Sequence, residues 1–67
     1  MPIANIHILE GRSEETKEEL IVKMTETLCE VLKVQPSQVR IIIEEMKPQH
    51  YGIAGESVAT RRKNEQK

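Results

Sequence analysis

The sequence predicts a small α/β (α+β) chain: a β-α-β subunit with parallel strands and a C-terminal hairpin or arm, assembled into an oligomer. Three observations carry this prediction. Two runs rich in β-branched residues flank one long amphipathic stretch, and Gly or Pro punctuates each boundary. The 67 residues include no Trp, no Phe and a single Tyr to supply large buried surfaces. A chain this short, without disulfides or a cysteine-held metal, often stabilises itself by oligomerising.

The first run is Ile3 to Leu9. Pro2, Ala4, Ile6 and Ile8 alternate with Ile3, Asn5, His7 and Leu9, so both faces of a strand would be largely apolar. Proline is acceptable at the start of a strand, and Gly11 ends the run. Ser13 is then a good helix N-cap, with Glu14 and Glu15 where the helix dipole favours anions. Leu20, Ile21, Met24, Leu28, Val31 and Leu32 form one apolar stripe. Pro36 prevents continuation, so the helix covers about residues 14 to 33. The run Val39 to Met46 is the second strand. Strand, helix and strand in this short span make a right-handed unit with parallel strands. Tyr51-Gly52-Ile53-Ala54-Gly55 reads as a short hairpin or extended arm. Residues 1–59 form the domain, and 60–67 a polar, mobile tail. One helix covers one face of a two-stranded sheet, so the other face and both edges call for other chains.

Composition narrows the function. Ten basic residues against eleven acidic ones give a formal charge of -1, unlike the basic excess of nucleic-acid modules. No stretch is long and apolar enough to span a membrane, and no signal peptide is visible. One cysteine excludes a disulfide framework and a cysteine-based zinc site. These features predict a cytoplasmic protein with neither nucleic-acid nor membrane partners. His7, His50 and Cys29 do not make a ligand set, so no metal is expected.

Four fragments in order become specific: Met1-Pro2-Ile3, Leu9-Glu10-Gly11-Arg12-Ser13, Val39-Arg40-Ile41-Ile42-Ile43-Glu44-Glu45-Met46, and Tyr51-Gly52-Ile53-Ala54-Gly55. Together they closely resemble the 4-oxalocrotonate tautomerase (2-hydroxymuconate tautomerase) family over residues 1 to about 56. The resemblance implies a subunit of a homohexamer, a trimer of dimers. It implies a cofactor-independent isomerase that ketonises dienols such as 2-hydroxymuconate with an N-terminal proline freed of its initiator methionine. Carried over, the base falls on Pro2, and carboxylate binding and polarisation on Arg12 and Arg40. Tyr51 takes the place of the family's phenylalanine, and Gln38 that of a serine before the Val-Arg pair. Leu9 adds apolar surface to the substrate site.

The groups suit this chemistry. A proline at a true N-terminus is a secondary amine, and nearby cations with apolar surface disfavour its charged form. Arginine binds carboxylate bidentately and stabilises an enolate oxygen. An extended strand from Pro2 to Leu9 spans about 23 Å. Arg12 therefore cannot reach a small substrate at its own chain's Pro2, but it can reach the Pro2 of a partner whose first strand runs antiparallel alongside. Other readings share these residues: a proline-based hydratase or dehalogenase of small unsaturated acids, or a non-catalytic oligomeric acid-binding module. Taken singly, Pro2 is a strand-starting residue, and Arg12 and Arg40 are ion-pair partners for Glu10, Glu44 or Glu45. Arg61, Arg62 and Lys63 read as a solvated basic cluster.

Overall fold

The computed structural model describes residues 1–65. Strand β1 (Ile3–Leu9) pairs in parallel with β2 (Arg40–Met46), and helix α1 (Glu14–Leu32) connects them. The register runs from Ile3 opposite Arg40 to Leu9 opposite Met46. The expected unit and its parallel order are therefore present. Burial alternates along both strands. Ala4, Ile6, Ile8, Ile41 and Ile43 are half-buried, whereas Ile3, Asn5, His7, Ile42 and Glu44 are exposed. This period of two marks one face as covered by α1 and the other as open.

Local chemistry explains the boundaries of α1. The Ser13 hydroxyl accepts the Thr16 N–H at 3.1 Å, capping a first turn that carries Glu14 and Glu15. Lys33 ends the helix in the left-handed region with φ 58°. Leu20, Met24 and Leu28 are half-buried, as the stripe predicts. Ile21, Val31 and Leu32 are a correction, being 37%, 68% and 50% exposed. A helix of 19 residues is about 28 Å long, against about 23 Å for a strand of seven. The helix is thus longer than the strands it packs on.

After β2, a 3₁₀ turn (Pro48–His50) leads to a hairpin of β3 (Gly52–Ile53) and β4 (Glu56–Ser57). Ala54 and Gly55 both have positive φ, 53° and 83°, as a two-residue hairpin of type I′ requires. The expected hairpin is confirmed. The polar stretch read as a tail from Thr60 is instead helical: α2 runs Val58–Glu65. The Ser57 hydroxyl accepts the Thr60 N–H at 3.1 Å, and Val58 is buried. One cap and one apolar anchor are enough to start this helix, and neither makes a periodic apolar pattern. Residues 66–67 of the predicted tail lie outside the described residues.

The chain does not close on itself. Among the described residues only Val39 and Val58 are buried. Its extents are 48 × 24 × 15 Å and its radius of gyration is 15.7 Å, against about 11 Å for a compact chain of this length. It exposes 5310 Å², about 1,000 Å² more than a folded monomer of its mass. Ile3 and Ile42 stand open on the uncovered sheet face at 56% and 45% exposure. Among the described residues no helix is long and apolar enough to cross a membrane.

Candidate active site

The predicted site residues fall into two groups at opposite ends of the sheet. At one end, half-buried Pro2 precedes β1. Its carbonyl oxygen accepts the Arg40 N–H at 3.0 Å. Parallel pairing thus sets the first residue of β2 beside the residue before β1. The Arg40 guanidinium folds back over the preceding turn. Its Nη1 donates to the carbonyl of Ser37 at 2.8 Å and to that of Val39 at 3.3 Å. That turn is a short 3₁₀ segment (Pro36–Gln38), in which Gln38 Oε1 accepts the Gln35 N–H at 2.9 Å. Buried Val39 holds the turn against the rest of the chain.

At the other end, Leu9 closes β1 and is half-buried. The Glu10 N–H extends the pairing to the Met46 carbonyl at 2.9 Å. Gly11 has φ 126°, a conformation that side chains rarely adopt, and it turns the chain back. Arg12 Nη1 then donates to the Leu9 carbonyl at 3.0 Å. Tyr51 opens the arm that leaves the sheet at Met46. The residue is 40% exposed, and its carbonyl accepts the Val58 N–H at 2.8 Å.

The structure therefore brings Pro2, Gln38 and Arg40 to one end, and Leu9, Arg12 and Tyr51 to the other. The length of β1, about 23 Å, separates them. No single chain gathers all six around one small molecule.

The electrostatics are uneven. Among the described residues neither Arg12 nor Arg40 pairs with a carboxylate. Two of the three acids considered as partners, Glu44 and Glu45, are engaged elsewhere. Glu44 lies 3.6 Å from His7 Nδ1, and Glu45 lies 2.9 Å from Lys17 Nζ. Lys17 also meets Glu14 at 2.8 Å. Its pKa is raised, first by the hydrogen bond to Glu14 and then by that to Glu45. Among the described residues both guanidinium groups hydrogen-bond only to backbone carbonyls. A surface hollow between α1 and β2 is lined by Glu14, Lys17, Glu18, Ile21, Ile43 and Glu45. Three carboxylates to one ammonium make it a poor anion site, and it includes none of the predicted site residues. Among the described residues no three His, Cys, Asp or Glu side chains are placed to hold a metal ion. The bond from Gln35 to Gln38 and the clasp of Lys17 to Glu45 were not foreseen. The spacing of Gln35 and Gln38 around Pro36 is the one signal for the first.

The β-α-β subunit thus sets Arg40 beside Pro2 in the sheet and Arg12 a strand's length away. The chain belongs to the tautomerase family: a family model described as "Tautomerase enzyme" matches residues 2–61. It is accordingly an isomerase of that family. It is 54% identical over 57 residues to a 2-hydroxymuconate tautomerase of Stutzerimonas stutzeri, covering 85% of this chain and 90% of the relative. A 4-oxalocrotonate tautomerase isozyme structure from Methylibium petroleiphilum superposes with TM-score 0.91 at 38% identity, covering 94% of this chain and 98% of that one. A heterohexameric 4-oxalocrotonate tautomerase from Chloroflexus aurantiacus superposes with TM-score 0.83 at 37% identity, covering 88% and 95%.

Proposed function

We propose that the protein is a cofactor-independent enol–keto tautomerase acting on small unsaturated 2-hydroxy or dicarboxylic acids such as 2-hydroxymuconate. Pro2 is its general base. The observation that carries this reading is the placement of Pro2 against Arg40, whose guanidinium has no carboxylate partner among the described residues.

With Met1 attached, the Pro2 nitrogen is an amide and holds no basic lone pair. With Met1 removed it is a secondary amine on a rigid ring. A guanidinium brought near that nitrogen disfavours its ammonium form and leaves the neutral base available. The amine takes the proton of the substrate 2-hydroxyl. The oxygen lone pair becomes the carbonyl, the double bonds shift, and the ammonium returns the proton to carbon. Charge that grows on the oxygen during this transfer meets a guanidinium. The second arginine, Arg12, binds a carboxylate through its fork. Leu9 and the Tyr51 ring supply an apolar wall that keeps water from the reacting atoms.

Arg12, Leu9 and Tyr51 come from a neighbouring copy, because the chain's own set lies a strand's length away. We place two β1 strands antiparallel across a two-fold axis. That arrangement brings the Leu9 end of one copy to the Pro2 end of the other. The open sheet face and the excess exposed surface support an assembly, and a homohexamer built as a trimer of dimers is the form proposed. A single cysteine with no disulfide fits a reducing cytoplasm.

The test is an ultraviolet assay on protein whose free Pro2 has been confirmed by mass spectrometry. Turnover of 2-hydroxymuconate or phenylenolpyruvate is expected. Turnover of a haloacrylate alone would reassign the enzyme to dehalogenation, and no turnover of any of the three would leave an acid-binding module.

A further inference from the structure

We propose that Gln38 is a positioning residue that acts through Arg40 and does not contact the substrate. This rests on the role proposed above for Arg40. Gln38 sits where a substrate contact is expected from the resemblance, yet its side-chain carbonyl oxygen is already used. It accepts the Gln35 N–H at 2.9 Å, and the Gln38 N–H donates back to the Gln35 carbonyl at 2.9 Å. Gln35 and Gln38 are thus fastened twice. The Val39 N–H adds a third bond, to the Pro36 carbonyl at 3.1 Å. The residue held inside this clasp is Ser37, whose carbonyl oxygen anchors Arg40 Nη1 at 2.8 Å.

The chain of causes is short. A 3₁₀ turn has poor hydrogen-bond geometry of its own, and Pro36 contributes no N–H. The side-chain oxygen of Gln38 stiffens the turn and so fixes the direction of the Ser37 carbonyl. That carbonyl holds one nitrogen of the guanidinium fork and leaves the Nη2 and Nε donors to face an anion. Without the clasp, the arginine keeps its charge and loses its aim. Small misplacements of a binding group cost rate steeply.

The experiment is a double-mutant cycle between positions 38 and 40, read by steady-state kinetics on a carboxylate substrate with assembly checked by sedimentation. Gln38→Ala is expected to lower kcat/KM roughly five- to tenfold, the worth of one neutral hydrogen bond. Most of the loss should fall in KM if Arg40 mainly grips the ground state. Gln38→Met, of the same length but with no acceptor oxygen, should match Gln38→Ala. Adding Gln38→Ala to Arg40→Ala should cost nothing more. An equal loss in the Arg40→Ala background would mean that Gln38 touches the substrate itself and would overturn the proposal. So would a fully active Gln38→Met. An unimpaired Arg40→Ala would instead remove the role of Arg40 on which the inference stands.

Discussion

The N–H of Arg40 donates to the carbonyl oxygen of Pro2 at 3.0 Å, so one backbone hydrogen bond couples the backbone of the proposed base to that of the arginine proposed to assist it. Blocking the Pro2 nitrogen should therefore abolish chemistry without disturbing the fold. Retained Met1 or an N-acetyl group leaves the backbone pairing intact and removes the lone pair. Turnover is expected to fall at least about 100-fold, the low end of a general base's contribution. Ultraviolet assay beside circular dichroism checks it. A blocked chain that turns over at full rate would remove Pro2 from the mechanism.

Arg12 lies beyond the far end of β1 from Pro2, which makes subunit complementation a direct test. Pro2-blocked protein and Arg12→Ala protein should each be inactive, the second with its assembly intact. Mixed at equal amounts, dissociated and reassembled, they should recover roughly a quarter of wild-type sites, one half multiplied by one half, if the two residues come from different copies. No recovery from verified hybrids would place both groups on one chain.

Most of the fold was legible because its signals are periodic. Alternation in Ile3 to Leu9, the helical stripe from Leu20 to Leu28 and the run from Arg40 to Met46 each bury one face, and periodicity reports which face is buried. The helix α2 was not legible. It has one buried residue, Val58, and depends on the Ser57 cap and on a backbone bond to Tyr51. Tertiary anchors of that kind leave no pattern along the chain. The separation of Arg12 from Pro2 followed from strand length alone. The clasp between Gln35 and Gln38 did not, because a glutamine side chain looks the same in sequence whether it faces a ligand or its own turn.

Ile42 lies across from Asn5 on the open face of the sheet and is 45% exposed. In the proposed assembly this face is covered, and a charge placed there would be desolvated without a partner. Ile42→Glu should dissociate the assembly and lower turnover per chain at least about tenfold, because a split site needs its neighbour. Analytical ultracentrifugation and the ultraviolet assay at matched concentrations test both effects. A dissociated Ile42→Glu chain with undiminished turnover would show that one copy suffices.

Lys17 clasps α1 to β2 through Glu45 at 2.9 Å, and Glu14 meets the same ammonium at 2.8 Å. These two carboxylates raise its pKa above the ordinary lysine value of 10.5. A group whose pKa is higher in the folded state holds its proton more tightly there. Its contribution to stability is complete below the unfolded value and is lost as pH climbs through the folded one. The relevant window is therefore alkaline, above about pH 10. Lys17→Met removes the charge at every pH. The melting temperature of the wild type should exceed that of Lys17→Met by a constant margin from pH 7 to 9, and the two curves should converge at higher pH. Thermal unfolding across that range gives the answer. A margin that persists unchanged above the folded pKa would assign the role of Lys17 to its aliphatic stem packed between helix and strand.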